Sequence, residues 1–172
     1  GYDGMYSRVV LVPEENLGMV VLTNSMTSLP TVACNRILDE FLGGDKPDWN
    51  AIMLAEFHKD REAFEKKIVD AMTPKVQGTS TSLALEKYAG TYTDTMYGEA
   101  SVELKDDLLV LSFAIGPDFV AHLTHMHYDT FAVKWKNTFA WFAGGNVQFH
   151  LNNKAEVTGF TMDIPNDDLW WH

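Results

Sequence analysis

The sequence predicts an α+β protein, with an N-terminal β-hairpin and helices followed by an antiparallel barrel or sandwich. Three observations predict it. Two short apolar runs flank a turn-rich stretch in RVVLVPEENLGMVV; one amphipathic stripe extends over residues 49–72; and from residue 85 onward only short alternating segments occur.

Val9–Val12 and Met19–Thr23 are β-branched runs joined by Pro-Glu-Glu-Asn-Leu-Gly, which is the pattern of a β-hairpin. Both are nearly continuously apolar, so strands covered on both faces are expected. Ser28 and Pro30 then supply a cap and a first-turn proline. Ala33, Ile37, Leu38, Phe41 and Leu42 recur at helical spacing until Gly43-Gly44 ends the pattern. In the second helix Asp48 is the expected N-cap, and Trp49, Ile52, Met53, Phe57, Phe64, Ile68 and Met72 form one stripe. That stripe is expected to be a face packed on a neighbouring element, with a cofactor groove as the alternative.

Residues 73–82 are rich in Pro, Gly, Ser and Thr and read as a linker. Beyond it the expected strands are Ala100–Leu104, Leu108–Ala114, Phe119–His125, Tyr128–Trp135, Phe139–Phe142, Val147–Leu151 and Val157–Ile164. Turn material separates them at Lys105-Asp-Asp107, Gly116-Pro-Asp118, Gly144-Gly-Asn146 and Asn152-Asn-Lys154.

Composition limits the function classes. The 46% hydrophobic share is incompatible with a wholly disordered chain. The net charge of -11 opposes binding to nucleic acid or anionic lipid. No apolar run approaches the ~20 residues of a membrane span. Cys34 is the lone cysteine, so no intrachain disulfide forms and no Cys/His zinc spacing exists.

Local catalytic motifs are missing too. G-x-S-x-G, S-x-x-K, Y-x-N, S-D-N and K-T-G do not occur, nor do H-E-x-x-H, G-x-x-x-x-G-K and G-x-G-x-x-G. No catalytic residue, metal ligand or cofactor site is assigned. His122, His125 and His127 are close in sequence, so a small metal site is conceivable, but alternation leaves His122 outside while His127 points inward, and no further carboxylate or Cys converges on them. On an expected strand 128–135, His127 and Asp129 share the inward, mostly apolar face with Phe131, Val133 and Trp135. They are then either hydrogen-bonded core groups or the polar end of a ligand cavity. The ligand-binding candidates are Tyr92, His127, Asp129 and Trp135. The aromatics Tyr92, Tyr97, Phe113, Phe131, Trp135, Trp141, Phe149 and Phe160 either fill the interior or line a pocket, and a barrel of about eight strands favours filling. Trp170 and Trp171 cap an end of the barrel or protrude.

The stretch YSRVVLVPEENLGMVVLTNS, with Ser7, Pro13, Glu14, Gly18, Leu22 and Asn24 at the spacing S-x5-P-E-x3-G-x3-L-x-N, resembles the closing hairpin of the β-lactamase-related serine hydrolases. That family includes class C β-lactamases, penicillin-binding-type peptidases and esterases. LEKYAGTYTDTMYGEASVELKDDLLVLSF and HMHYDTFAVKW resemble the lipocalin-like β-barrel appended to such enzymes. The resemblance implies residues 1–44 as the tail of a hydrolase domain, 45–82 as a linking helix and linker, and 83–172 as an accessory barrel. It places the family's H-x-G or K-T-G strand and its Ser, Lys and Tyr before Gly1. It implies a missing N-terminal catalytic part as partner, acyl-enzyme hydrolysis of an amide or ester by the parent, and a periplasmic or exported location. A lipocalin-type module binding a small molecule or glycan is the alternative. A hairpin without its sheet neighbours implies a homodimer through residues 1–44.

Overall fold

The computed structural model describes residues 1, 4–137 and 143–165. The chain divides into two compact units, Gly1–Ala63 and Phe64–His172.

In the first unit β1 (Tyr6–Val12) and β2 (Leu17–Thr23) pair antiparallel, with Val9 opposite Val20. Pro13–Glu15 form a 3₁₀ turn, closed by Asn16 at φ 50° donating its N–H to the Pro13 carbonyl at 3.1 Å. Helix α1 (Leu29–Leu42) covers one face of the hairpin, where the Arg8 guanidinium donates to Thr31 Oγ1 at 2.8 Å. Leu29 donates its N–H to Thr27 Oγ1 at 3.3 Å, so Thr27 rather than Ser28 supplies the side-chain cap. Gly43 at φ 72° ends the helix in the left-handed region.

Strands covered on both faces were the expectation, and the structure differs. Val9, Leu11, Val20 and Leu22 on the second face are 61–74% exposed, because a two-stranded sheet with a single helix has only one covered side.

Helix α2 runs from Trp49 to Met72, and Asp48 Oδ1 accepts the Ala51 N–H at 3.0 Å as its N-cap. Trp49 Nε1 donates to Asp39 at 2.6 Å, tying α2 to the end of α1. No residue of α2 is fully buried; Trp49, Met53, Phe64, Ile68 and Met72 of the stripe are partly buried, whereas Ile52 and Phe57 are 40% and 47% exposed.

The second unit is a seven-stranded antiparallel meander of β3 (Gly90–Asp94), β4 (Gly98–Lys105), β5 (Leu108–Phe113), β6 (Val120–His127), β7 (Thr130–Trp135), β8 (Gly145–Leu151) and β9 (Val157–Asp163). The fold class is α+β, with a nearly closed, barrel-like sheet. The curl of that sheet brings Tyr92 of β3 onto Phe160 of β9, with ring centroids 5.0 Å apart. Inside, Tyr88, Phe131, Phe149 and Phe160 form a run of edge-to-face rings at 5.1–5.6 Å. Each such pair contributes about 0.5–1.5 kcal/mol beyond area burial. Val102, Leu109, Leu111, Leu123, Val133 and Val147 complete a core that is almost wholly shielded from water.

Two elements depart from the sequence pattern. β3 shows no apolar alternation because only Tyr92 is turned toward the interior. The expected strand Tyr128–Trp135 begins at Thr130. A bulge at His125/His127 and a left-handed Tyr128 (φ 46°) turn the chain there, so His127 ends β6 and Asp129 precedes β7 instead of sharing one strand face. The expected strand 139–142 and the residues Trp141, Trp170 and Trp171 lie outside the described residues.

Candidate functional site

The polar side chains singled out in the sequence are held by backbone geometry at the β6–β7 turn. Because Tyr128 is left-handed, the carboxylate of Asp129 stands at the end of the sheet facing residues 79–88. Ser82 donates its N–H to Asp129 Oδ1 at 2.9 Å and its hydroxyl to Oδ2 at 2.8 Å, and the Tyr88 hydroxyl donates to Oδ1. Tyr88 in turn accepts the Leu83 N–H at 3.2 Å. Tyr128 donates its N–H to Thr79 Oγ1 at 3.0 Å, and Lys75 donates its N–H to His127 Nδ1 at 3.4 Å. His125 Nε2 donates to the Tyr128 carbonyl at 2.9 Å, which assigns the Nε2 proton.

Residues 73–82, read as a linker, are therefore a strap bonded to one turn. Asn146 Nδ2 fixes its start by donating to the Ala71 carbonyl at 3.0 Å.

Partial burial by itself raises the pKa of Asp129. The hydrogen bonds from Tyr88 and Ser82, with His125 nearby, outweigh that and hold the carboxyl below the usual range. Tyr88 is fully buried, and burial together with its bond to the Asp129 carboxylate pushes its phenol up to about 12. Asp129 is therefore an ionised acceptor and a poor general base, and Tyr88 keeps its proton at neutral pH. The Ser82 hydroxyl donates to the Asp129 carboxylate, which is too weak a base to activate it as a nucleophile. The arrangement is an anchor.

The other two candidates are Tyr92 and Trp135. Tyr92 donates its hydroxyl to the Tyr88 carbonyl at 2.6 Å, and burial raises its pKa. Trp135 Nε1 donates to the Ala143 carbonyl at 3.0 Å, and its ring lies tilted against Phe113 at 6.2 Å. Trp135 ends β7 whereas Asp129 precedes it, so about 20 Å of extended chain separates them at ~3.3 Å per residue. The structure joins Asp129 to the Tyr88–Tyr92 pair and sets Trp135 apart. Among the described residues no three His, Cys, Asp or Glu side chains gather as a metal site. Ser82, Thr79 and Tyr88 were not singled out in the sequence. They are 41–49 residues from their partners, and no local pattern carries that distance.

Residues 74–171 match the family model DUF3471, a domain of unknown function, over more than half of the chain. The chain belongs to the DUF3471 family. Domains of this family are known at the C-terminus of β-lactamase-related proteins. No curated protein and no solved structure matches the chain. The DUF3471 match begins within the strap, so the strap, the Asp129 anchor and the sheet all belong to the region that defines the family.

Proposed function

We propose that this chain is the C-terminal portion of a serine β-lactamase-like hydrolase. Residues 1–44 complete the catalytic domain, residues 45–82 link it, and the DUF3471 barrel is a non-catalytic accessory module. The parent would acylate a serine with an amide or ester and release the acyl group to water. A periplasmic or exported location goes with this reading.

One observation carries it. Among the described residues of Gly1–Ala63 only Pro30 and Cys34 are buried, while Val9, Leu11, Val20, Leu22 and Phe41 are more than 60% exposed. A unit with so little interior cannot offset the conformational entropy of folding, and it needs further chain to cover it. The resemblance of this hairpin to that of the serine hydrolases names the cover. The ring-filled interior of the barrel supports packing over a lipocalin-type ligand cavity.

The test is to express the chain joined to the coding sequence that precedes it, and to measure acylation by a fluorescent penicillin and turnover of a p-nitrophenyl ester. The joined protein reacts, the 172-residue chain does not, and removal of residues 1–44 from the joined protein abolishes reaction. Removal of residues 83–172 leaves activity measurable. Acylation of the 172-residue chain, or a preceding sequence without S-x-x-K, overturns the reading.

A further inference from the structure

The sheet of the second unit has an odd number of strands in meander order, so six antiparallel steps leave β3 and β9 running in the same direction. An antiparallel ladder cannot close between them. Among the described residues no backbone hydrogen bond joins them, although Tyr92 and Phe160 touch ring to ring inside. Among the described residues the result is a seam with an unpaired strand edge on each side.

The seam is built over apolar surface. Phe131 of β7 and Phe149 of β8 are 1% and 2% exposed, whereas Tyr92 and Phe160 on the edge strands are only half-buried. Exposed Thr91, Thr93, Thr158 and Thr161 line the outside.

We propose that this seam takes an extended segment of a partner protein as an eighth strand, antiparallel to both β3 and β9. Only an antiparallel segment satisfies both edges with the ladder used throughout this sheet. β3 sets the register length at five residues. Side chains of the segment that point inward meet the Tyr92 and Phe160 rings and are apolar, and those between them are polar.

Charge sets its polarity. β3 ends on Asp94, whose carboxylate also accepts the Met96 and Tyr97 N–H groups, and β9 ends on Asp163, so two acidic residues stand at one end of the seam. The N-terminal end of an antiparallel segment arrives at the acidic end, so it carries Lys or Arg there. The chain's own continuation brings Asp167 and Asp168, and a second copy brings the same acidic edges, so like charge disfavours both.

The experiment titrates ¹⁵N-labelled full-length chain with acetyl-Lys-Val-Thr-Val-Thr-Val-amide. Amides of both residues 90–94 and 157–163 shift together. N-methylation of alternate peptide residues weakens binding about tenfold or more. Glu in place of the peptide Lys, or Asp163→Asn in the protein, weakens it about two- to fivefold. No shifts, shifts along one edge alone, or equal binding of the N-methylated peptide overturns the proposal. So does slow amide exchange along both edges in the full chain that is lost on truncation after Pro165, which would make the chain's own end the eighth strand. Displacement by the peptide of a self-associated form paired through these edges would assign the seam to a second copy and overturn it as well.

Discussion

Val9-Val10-Leu11-Val12 in β1 and Leu108-Leu109-Val110-Leu111 in β5 are interchangeable as sequence, and the fold treats them oppositely. Val9 and Leu11 are 62% and 71% exposed, while Leu109, Val110 and Leu111 are 1%, 8% and 0% exposed. β5 has a strand on each side and faces a curled interior; β1 has one partner strand and one helix. Apolar content makes both runs strands, but the number of neighbouring layers decides whether that content is buried. Hydrophobic stabilisation of about 25 cal/mol per Å² is realised only where water is removed. The DUF3471 unit therefore holds most of this chain's internal stability, and the hairpin holds unused capacity.

The sharpest test of this contrast is a pair of truncations. Phe149→Ala removes a fully buried ring that touches Tyr88, Phe131 and Phe160, and is expected to cost about 3–5 kcal/mol in urea unfolding. Leu11→Ala is expected to stay within about 0.5 kcal/mol of the parent chain. Comparable losses would mean that the hairpin face is covered.

Gly145→Ala probes the closeness of β8 and β9. A Cβ there would stand 2.2 Å from the Asp163 carbonyl oxygen, so backbone must move, at an expected cost of about 1–3 kcal/mol in the same unfolding transition.

Asp129→Ala leaves Tyr88 and Ser82 without their acceptor and is expected to cost about 1–3 kcal/mol at pH 7. The pH dependence follows from the two shifts. The folded pKa of Asp129 is lowered, so its contribution is present above the unfolded value near 3.8 and lost as pH falls through the folded value. The folded pKa of Tyr88 is raised to about 12, so its contribution is present below the unfolded value of 10.0 and lost as pH rises toward 12. Thermal melts across both limbs should show a flattened acid limb in Asp129→Ala and a flattened alkaline limb in Tyr88→Phe. Unchanged limbs would remove the anchor from the account.

The smallest effect on unfolding, and a clear one on assembly, is expected at the hairpin. The exposed face of β1 and β2 favours self-association through residues 1–44, seen by light scattering as a mass above 19.4 kDa. Val20→Lys should return the chain to a monomer while leaving its melting temperature within a degree or two, since a surface change is worth less than about 0.5 kcal/mol. Self-association that persists in a chain starting at Asp48 would move the interface to the barrel.

Much of the architecture was legible because it is local. Asp48 as N-cap and the 3.6-residue stripe set α2 at Trp49–Met72, and Gly43 ended α1, since capping and periodicity act within one or two turns of chain. Period-two alternation with Asp-Asp and Asn-Asn-Lys turns marked β4, β5, β8 and β9 for the same reason. β3 escaped because a strand with one inward residue has no period to detect, and the Tyr128-Asp129 turn escaped because it uses neither glycine nor proline. Asp129 was legible as a polar group close to apolar strands, but its partners were not. A carboxylate accepts from whichever donors the fold delivers, and Ser82 and Tyr88 reach it from 47 and 41 residues away. Local chemistry determined which residues became helix, strand and turn. The tertiary structure alone decided which apolar strands lost their water, which polar groups met, and which strand edges stay unpaired among the described residues, because burial and pairing depend on neighbours that no short window of chain contains.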